Sequence, residues 1–261
     1  MSSSRRGNNV KPAKTSAGIR ENAFRERLCR VLLPIMDAKK LAGEAALQYI
    51  ESGMVVGLGT GSTAKFFIEA LIAAVRDGRL RDIRGIPTSI ASEKLAREGG
   101  LTIVDFSQVQ RIDVVVDGAD EIDPNLTLIK GLGGALLREK LVAQNSKKMV
   151  VVADESKVVT KLGTKSPLPV EVIPFGRDAS ERFLKSLGCV PELRKKEDGS
   201  PYITDNGNHI FHCRFASIED PAALNATLGN RAGIVQSGLF INLASVAIVA
   251  GTTEVRTITR T

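Results

Sequence analysis

Tryptophan is absent from the chain, and aromatic residues of any kind make up only 4% of it. Proteins that stack on nucleic-acid bases or anchor at a membrane interface draw on aromatic side chains, so neither partner is expected. Cysteine is scarce: Cys29, Cys189 and Cys213 form an odd, widely spaced set. Such a set supplies neither a disulfide framework nor the paired spacing of a zinc module, and it suits a reducing compartment. The two histidines, His209 and His212, fall together in one late segment, where they read as strand or surface residues. No apolar run approaches the roughly 18 residues of a spanning helix. The stretch VLLPIM at 31–36 is also too short for a secretory core.

Acidic residues are missing from the first 20 positions. Residues 1–40 hold ten of the 36 Lys and Arg against three of the 29 Asp and Glu, so the net charge of +7 belongs to the amino end and the rest of the chain is balanced. Residues 1–36 therefore read as a disordered basic leader, with an organellar transit peptide as the alternative. The cytoplasm is otherwise the expected compartment.

Beyond the leader, 43% hydrophobic content supports a full core. Apolar residues at helical spacing over 38–51 are followed by a break at Gly53 and the strand-like run MVVGL at 54–58. Helical and apolar runs then alternate: a helix from Ser62, IRGIP at 83–87, SEKLAREGG at 92–100, LTIVDF at 101–106, DVVVD at 113–117, ALLREKLVAQNS at 135–146 and KMVVVAD at 148–154. Strands apolar on both faces, alternating with helices, predict a parallel sheet covered on both sides. After Lys161 prolines cluster and GNHIFHCRF alternates as an antiparallel strand does, predicting a smaller α+β domain over 163–240. SVAIVAG and VRTITRT then return the chain to the first sheet, so 37–162 with 241–261 make the larger domain. The fold class is α/β, with the α+β part inserted before the final strands.

Three motifs carry the chemistry. GLGTGSTA, 57–64, lies between strand and helix, where free amides and the hydroxyls of Thr60, Ser62 and Thr63 suit a phosphate or a polyol. It lacks the Gly-Lys-Ser/Thr ending of a nucleotide P-loop. As a dinucleotide fingerprint it has only Asp82, in a turn-like segment, for the acid about 20 residues on. A helix-capping turn is the bland alternative. VVVDGADEID, 114–123, delivers Asp117 to the carboxyl edge of a buried strand, the edge the glycine loop also occupies. The run lacks calcium-loop spacing and companion His or Cys ligands, so no metal is expected. Glu121 and Asp123 are expected to solvate and shape the turn at Pro124. In KGLGGALLREK, 130–140, Glu139 has Ala135, Leu136, Val142 and Ala143 as its helical neighbours, a setting that desolvates a carboxyl and raises its pKa toward that of a working base. Arg138 and Lys140 have similar neighbours, so an ion-paired Glu on a helix buried all round stays open.

With these residues laid out, the chain resembles type A ribose-5-phosphate isomerases over nearly everything after the leader. GLGTGSTA, VDGADEID, KGLGGALLREK, VVADESK (151–157), PLPVEVIPF (167–175) and ITDNGNHI (203–210) look like that family's motifs in its order. The resemblance implies a Rossmann-like domain with a smaller α+β domain, homo-oligomers (dimer or tetramer), and interconversion of ribose 5-phosphate and ribulose 5-phosphate in the non-oxidative pentose phosphate pathway without metal or nucleotide cofactor. It also implies Glu139 as general base, working through an enediolate. Asp117, Gly118, Ala119 and Asp120 would meet the sugar, with Asp117 assisting ring opening or oxygen proton transfer. Lys130, with Gly131, Leu132 and Gly133 in its loop, would stabilise the oxyanion. Thr60, Gly61, Ser62 and Thr63 would form the other ligand loop, with Lys39 and Lys157 near the phosphate. Two departures stand out: Leu132 replaces the middle glycine of the family's Lys-Gly-Gly-Gly, and Ser245-Val246 replaces an Ala-Asp pair. A positive φ at Leu132 would strain the loop, so either its φ is ordinary or the loop is reshaped.

Overall fold

Valine-rich runs flanked by glycine make the strands, because β-branched side chains fit a pleated surface buried on both faces. The computed structural model describes residues 37–251 and 254–260, all within one compact unit, Met36–Thr261. The basic leader at 1–36, with Cys29, lies outside the described residues. The first half of the described chain runs α1 (Ala38–Ala45), β1 (Val55–Leu58), α2 (Ser62–Arg76), β2 (Arg84–Pro87), α3 (Ile90–Glu98), β3 (Thr102–Ile103), β4 (Val114–Gly118), β5 (Glu121–Ile122), β6 (Leu128–Ile129), α4 (Leu136–Gln144) and β7 (Met149–Asp154). It continues through β8 (Leu168–Val172), α5 (Arg177–Ser186), β9 (Val190–Leu193), β10 (His209–Arg214), α6 (Pro221–Gly229), β11 (Ile234–Ser237), β12 (Leu239–Phe240), β13 (Ala244–Ala250) and β14 (Val255–Thr259).

Seven strands form the main sheet in the order β14-β13-β7-β4-β1-β2-β3, parallel except where β14 runs antiparallel to β13. The period of two sends Val114 and Val116 into the core beneath α1, α2 and α3, and Val115 into the core shared with α4. Asp117, two residues beyond Val115, emerges on the α4 side. The return of the last strands to this sheet agrees with the sequence reading. Of the two departures, Val246 is buried beside Val150, and Ser245 sits at the register shift between Ala244 and Val246.

A second sheet, β11-β8-β10-β9, is antiparallel and packs on α5 and α6 around Val170, Val172, Phe211 and Leu228. A third, β12-β6-β5, sets the segment that carries Lys130.

Local boundaries differ from expectation in two places. The first helix stops at Ala45 and tightens into a 3-10 turn over Ala46–Tyr49, which lets Ile50 enter the core. The run LTIVDF pairs only at Thr102 and Ile103, because β3 is the sheet's edge and meets β2 over Arg84 and Gly85 alone.

Glu121 corrects the sequence reading. It does not solvate a turn: it is 0% exposed, and its carboxylate accepts hydrogen bonds from the backbone N–H groups of Gly163, Lys165 and Ser166, each at 2.6 Å. The carboxylate thereby fastens the chain as it crosses into the second sheet. Asp123 does shape its turn, accepting from Asn125 N and Thr127 N. An amide at position 121 would turn an N–H toward an N–H, so Glu121→Gln is expected to cost about 2–4 kcal/mol in urea unfolding, the scale for losing charge-assisted bonds in a buried site. A loss under about 0.5 kcal/mol would show that the fastening contributes nothing.

Candidate active site

The carboxyl edge of β1 and β4 brings the glycine loop and the acidic stretch together. Gly59 is needed there because a Cβ would stand 2.3 Å from Asp117 Oδ1 and 2.5 Å from Val116 O. Asp117 Oδ1 accepts from Thr60 N (2.9 Å) and from its neighbour Gly118 N (2.8 Å), which locks the carboxylate under the loop. The Thr60 hydroxyl lies 2.7 Å from Thr88 Oγ1 and donates to Ser89 Oγ at 2.8 Å. Neither Thr88 nor Ser89 was singled out from sequence. Their signal is a pair of hydroxyls directly behind the apolar IRGIP strand.

Lys130 reaches the same point from the opposite side. It is 2% exposed; its ammonium donates to Gly118 O at 2.7 Å and stands 2.9 Å from Asp117 Oδ2 and 3.3 Å from Glu139 Oε2. Both carboxylates therefore face one buried cation. The backbone N–H of Lys130 is held by Gly238 O, and the ring of Phe240 lies 5.3 Å from the ammonium. Burial works against the ammonium, but the Asp117 and Glu139 carboxylates outweigh it and hold Lys130 above the ordinary lysine range.

Glu139 sits in the first turn of α4 and is 3% exposed. Burial pushes its carboxyl from 4.5 up to about 8. The nearby Lys130 cation pulls the other way, and the Asp117 and Asp120 charges add to the rise. Burial prevails over the short approach to Lys130 because one ammonium faces more than one carboxylate in a dry site. Asp120 is also raised by burial, against the Leu132 N–H that it accepts at 3.0 Å and the charges of Lys130 and Lys157. Of the two basic residues flanking Glu139, Arg138 stays half-exposed, whereas Lys140 is buried. Lys140 donates to Gln236 Oε1 and Ser237 O, stands 5.0 Å from the Phe240 ring, and is lowered to about 7 by desolvation.

These groups border a recess of about 490 Å³, counting the space open to solvent. Its walls come from Lys39, from Thr60, Gly61, Ser62 and Thr63, and from Gly118, Ala119 and Asp120. Lys130, Gly131, Gly133, Glu139 and Lys157 complete it. Two expected residues do not line it: Asp117, 1% exposed, lies beneath Lys130 and Thr60, and Leu132 contributes its backbone N–H to Asp120. Leu132 keeps an ordinary φ, because Gly131 (107°) and Gly134 (94°) take the left-handed turns. The substituted loop is thus unstrained at that residue. Asp82 stands before β2, at the edge opposite the glycine loop, so no acid meets a ribose as a dinucleotide site requires. Among the described residues no group of three or more His, Cys, Asp or Glu is arranged to hold a metal. The four carboxylates of the acidic stretch are divided between different partners instead. His209 and His212 lie on β10 in the second sheet.

A buried carboxyl raised toward neutral pH, a fixed cation within 3.3 Å and an amide-rich loop across a polar recess are suited to moving a proton next to a developing oxyanion. Comparison with known proteins agrees. Residues 84–254 match the family model for ribose 5-phosphate isomerase A, also called phosphoriboisomerase A. The ribose-5-phosphate isomerase A of Desulfatibacillum aliphaticivorans is 49% identical over 218 residues, covering 84% of this chain and 95% of that protein. A probable chloroplastic ribose-5-phosphate isomerase 3 of Arabidopsis thaliana is 43% identical over 244 residues, 91% of this chain and 88% of that one. A solved D-ribose-5-phosphate isomerase in complex with phospho-erythronic acid superposes with a TM-score of 0.84 at 40% identity, covering 87% of this chain and all of that one. Sequence, fold and site geometry thus converge: the chain belongs to the ribose 5-phosphate isomerase A family and is an aldose–ketose isomerase.

Proposed function

We propose that the chain interconverts D-ribose 5-phosphate and D-ribulose 5-phosphate through an enediolate, in the non-oxidative pentose phosphate pathway, with Glu139 as general base. The observation that carries this is the buried Glu139 carboxylate, 3.3 Å from the Lys130 ammonium, on the wall of a polar recess that the glycine loop also lines. Glu139 moves a proton between C2 and C1 of the open-chain sugar, and Lys130, with the amides of Gly131 and Gly133, meets the charge that develops on oxygen. Asp117, which lies beneath the recess wall, assists ring opening or oxygen proton transfer through the Lys130 ammonium 2.9 Å away, and Asp120 contacts the sugar hydroxyls. The hydroxyls and amides of Thr60, Gly61, Ser62 and Thr63 hold the substrate with Lys39 and Lys157 at its phosphate end. The related solved isomerase is in complex with phospho-erythronic acid, a phosphorylated sugar acid.

The same reading assigns catalysis to residues 37–162 with 241–261, and support of the site to 163–240. It keeps the expectation of a homodimer or tetramer, for which Phe175 in the turn after β8 and Val190 of β9 supply exposed apolar side chains. It places the chain in the cytoplasm. The chloroplastic name of the Arabidopsis relative favours an organellar address as the second reading.

The test is a coupled assay of ribose 5-phosphate conversion across pH with excess chelator. A base must be deprotonated to act. With Glu139 raised to about 8, kcat/KM is expected to climb with pH and level off above that value. Lys130, held above the ordinary lysine range, stays charged throughout, so no descending limb should come from it below about pH 10. The sugar phosphate's own second ionisation, near pH 6, is separable from the enzyme's limb. Activity lost to the chelator would overturn the metal-free mechanism, and a flat profile from pH 6.5 to 9 would remove Glu139 as the titrating base.

A further inference from the structure

The ITDNGNHI segment lines no part of the recess, yet it contacts Ile90 and Arg138, which adjoin its two sides. Residues 204–208 fold into a tight loop ahead of β10. Thr204 N donates to Asn208 O, Gly207 N donates to Thr204 O, and Gly207 adopts φ 80°. The loop is rooted in the second sheet by Glu171 of β8, a fully buried carboxylate whose Oε1 accepts from Thr204 Oγ1 and Asn208 Nδ2, both at 2.9 Å. Its tip crosses to the first sheet's helices. Asp205 Oδ2 accepts from the backbone N–H of Ile90 at 2.8 Å, at the start of α3. Arg138 of α4 donates to Asp205 O and to Asn206 Oδ1, each at 2.9 Å.

Each contact lies one residue from the recess machinery. Ile90 follows Ser89, the hydroxyl that receives Thr60. Arg138 precedes Glu139. The carboxylate at the α3 N-terminus is charge-assisted and favourably placed against the helix dipole, so this end of the clasp holds a defined position. A substrate anchored by its phosphate at the glycine loop must present its C1–C2 end to Glu139, and an error of about 1 Å between anchor and base costs on the order of 10²-fold.

We propose that Asp205 is a positioning residue: the 204–208 loop clasps the two walls of the recess, the Thr60 loop through α3 and the Glu139 helix through Arg138, and fixes their separation. The proposal deepens the isomerase reading above and rests on it. It predicts a split, because the Asp205 carboxylate accepts from the Ile90 N–H at 2.8 Å and meets Arg138 only as a longer, 3.8 Å ion pair, whereas the Arg138 guanidinium holds the loop through Asp205 O and Asn206 Oδ1 at 2.9 Å each.

The experiment is steady-state kinetics with ribose 5-phosphate on wild type, Asp205→Ala, Asp205→Asn and Arg138→Met, with inorganic phosphate as competitive inhibitor and a melting curve for each. In Asp205→Ala, KM and the phosphate inhibition constant are expected to rise about tenfold with kcat within about threefold. Asp205→Asn keeps an oxygen for Ile90 N–H and should recover most of that loss. In Arg138→Met, kcat should fall about tenfold with phosphate inhibition unchanged. Wild-type constants in both Asp205→Ala and Arg138→Met would overturn the clasp. So would losses in KM and kcat that move together and track a fall in melting temperature, the mark of a merely structural contact. A wild-type protein without isomerase activity would instead overturn the functional reading, and calorimetric phosphate binding to the same variants would still decide the clasp.

Discussion

Glu139→Gln is expected to lower isomerase turnover by at least about 10²-fold, the usual scale for removing a positioned base. The same chain should become more stable than wild type at alkaline pH. The amide is nearly isosteric and retains an oxygen to face Lys130, so the recess keeps its shape while the proton acceptor is lost. The stability gain follows from the carboxyl's displacement. Folding raises its pKa from 4.5 to about 8, so the folded chain holds a proton that the unfolded chain releases in that window. The stability linked to that proton is complete below pH 4.5 and is lost as pH rises through 8. Glutamine does not titrate. The difference between variant and wild type should therefore open across this window and level off on the order of 2–5 kcal/mol. Urea unfolding at pH 5 and pH 9, beside the coupled assay, reads both effects. A fully active variant would remove Glu139 as base, and an equal stability difference at the two pH values would refute its burial as the cause of the shift.

Lys130→Met should combine losses of both kinds. The ammonium stands 2.9 Å from Asp117 and 3.3 Å from Glu139, and methionine fills similar volume without charge. Two carboxylates are then buried without a cation, a change that costs about 3–5 kcal/mol when one partner of a buried pair is removed. The Glu139 carboxyl would rise further above 8, so the destabilisation should deepen with pH, opposite in sign to Glu139→Gln. Turnover should fall about 10²- to 10³-fold, the scale for losing a preorganised oxyanion donor. Arginine at this position should not restore it, because a planar fork cannot occupy a site shaped for a compact ammonium between Gly118 O, Asp117 Oδ2 and the Phe240 ring. Near-wild-type turnover in Lys130→Met would remove Lys130 from the oxyanion role.

Much of this was legible in local sequence because the determinants are local. DVVVD and KMVVVAD announce strands buried on both faces, and the neighbours of Glu139 at three and four residues point to a desolvated helix face without singling out the Glu. Glu121 was misread for the opposite reason. Its three amide partners lie 42 to 45 residues away, and an acid after DGAD has the same local surroundings whether it faces water or a passing backbone. Lys140 and Arg138 were indistinguishable by helical neighbours. Their fates were decided by Ser237 and Asp205, one burying its lysine and the other holding its arginine near the surface. The substituted glycine in the lysine loop could not be judged from sequence either, since only the backbone shows that the left-handed turns fall on Gly131 and Gly134.

The strand order of the main sheet also bears on how the protein is made. β7 finds one neighbour early, in β4, but its other neighbour, β13, arrives only after the excursion from Asp154 to Ala244. At about 5–20 residues per second, a ribosome takes roughly 5–20 s to supply that stretch. During that interval the nascent chain carries an open, apolar strand edge, a template for pairing with a neighbouring copy. Gly238, which holds Lys130, and Phe240, which flanks it, emerge at the end of the same interval. Completion of the Lys130 site and protection of the β7 edge therefore both wait on the segment from Gly238 to Ala250.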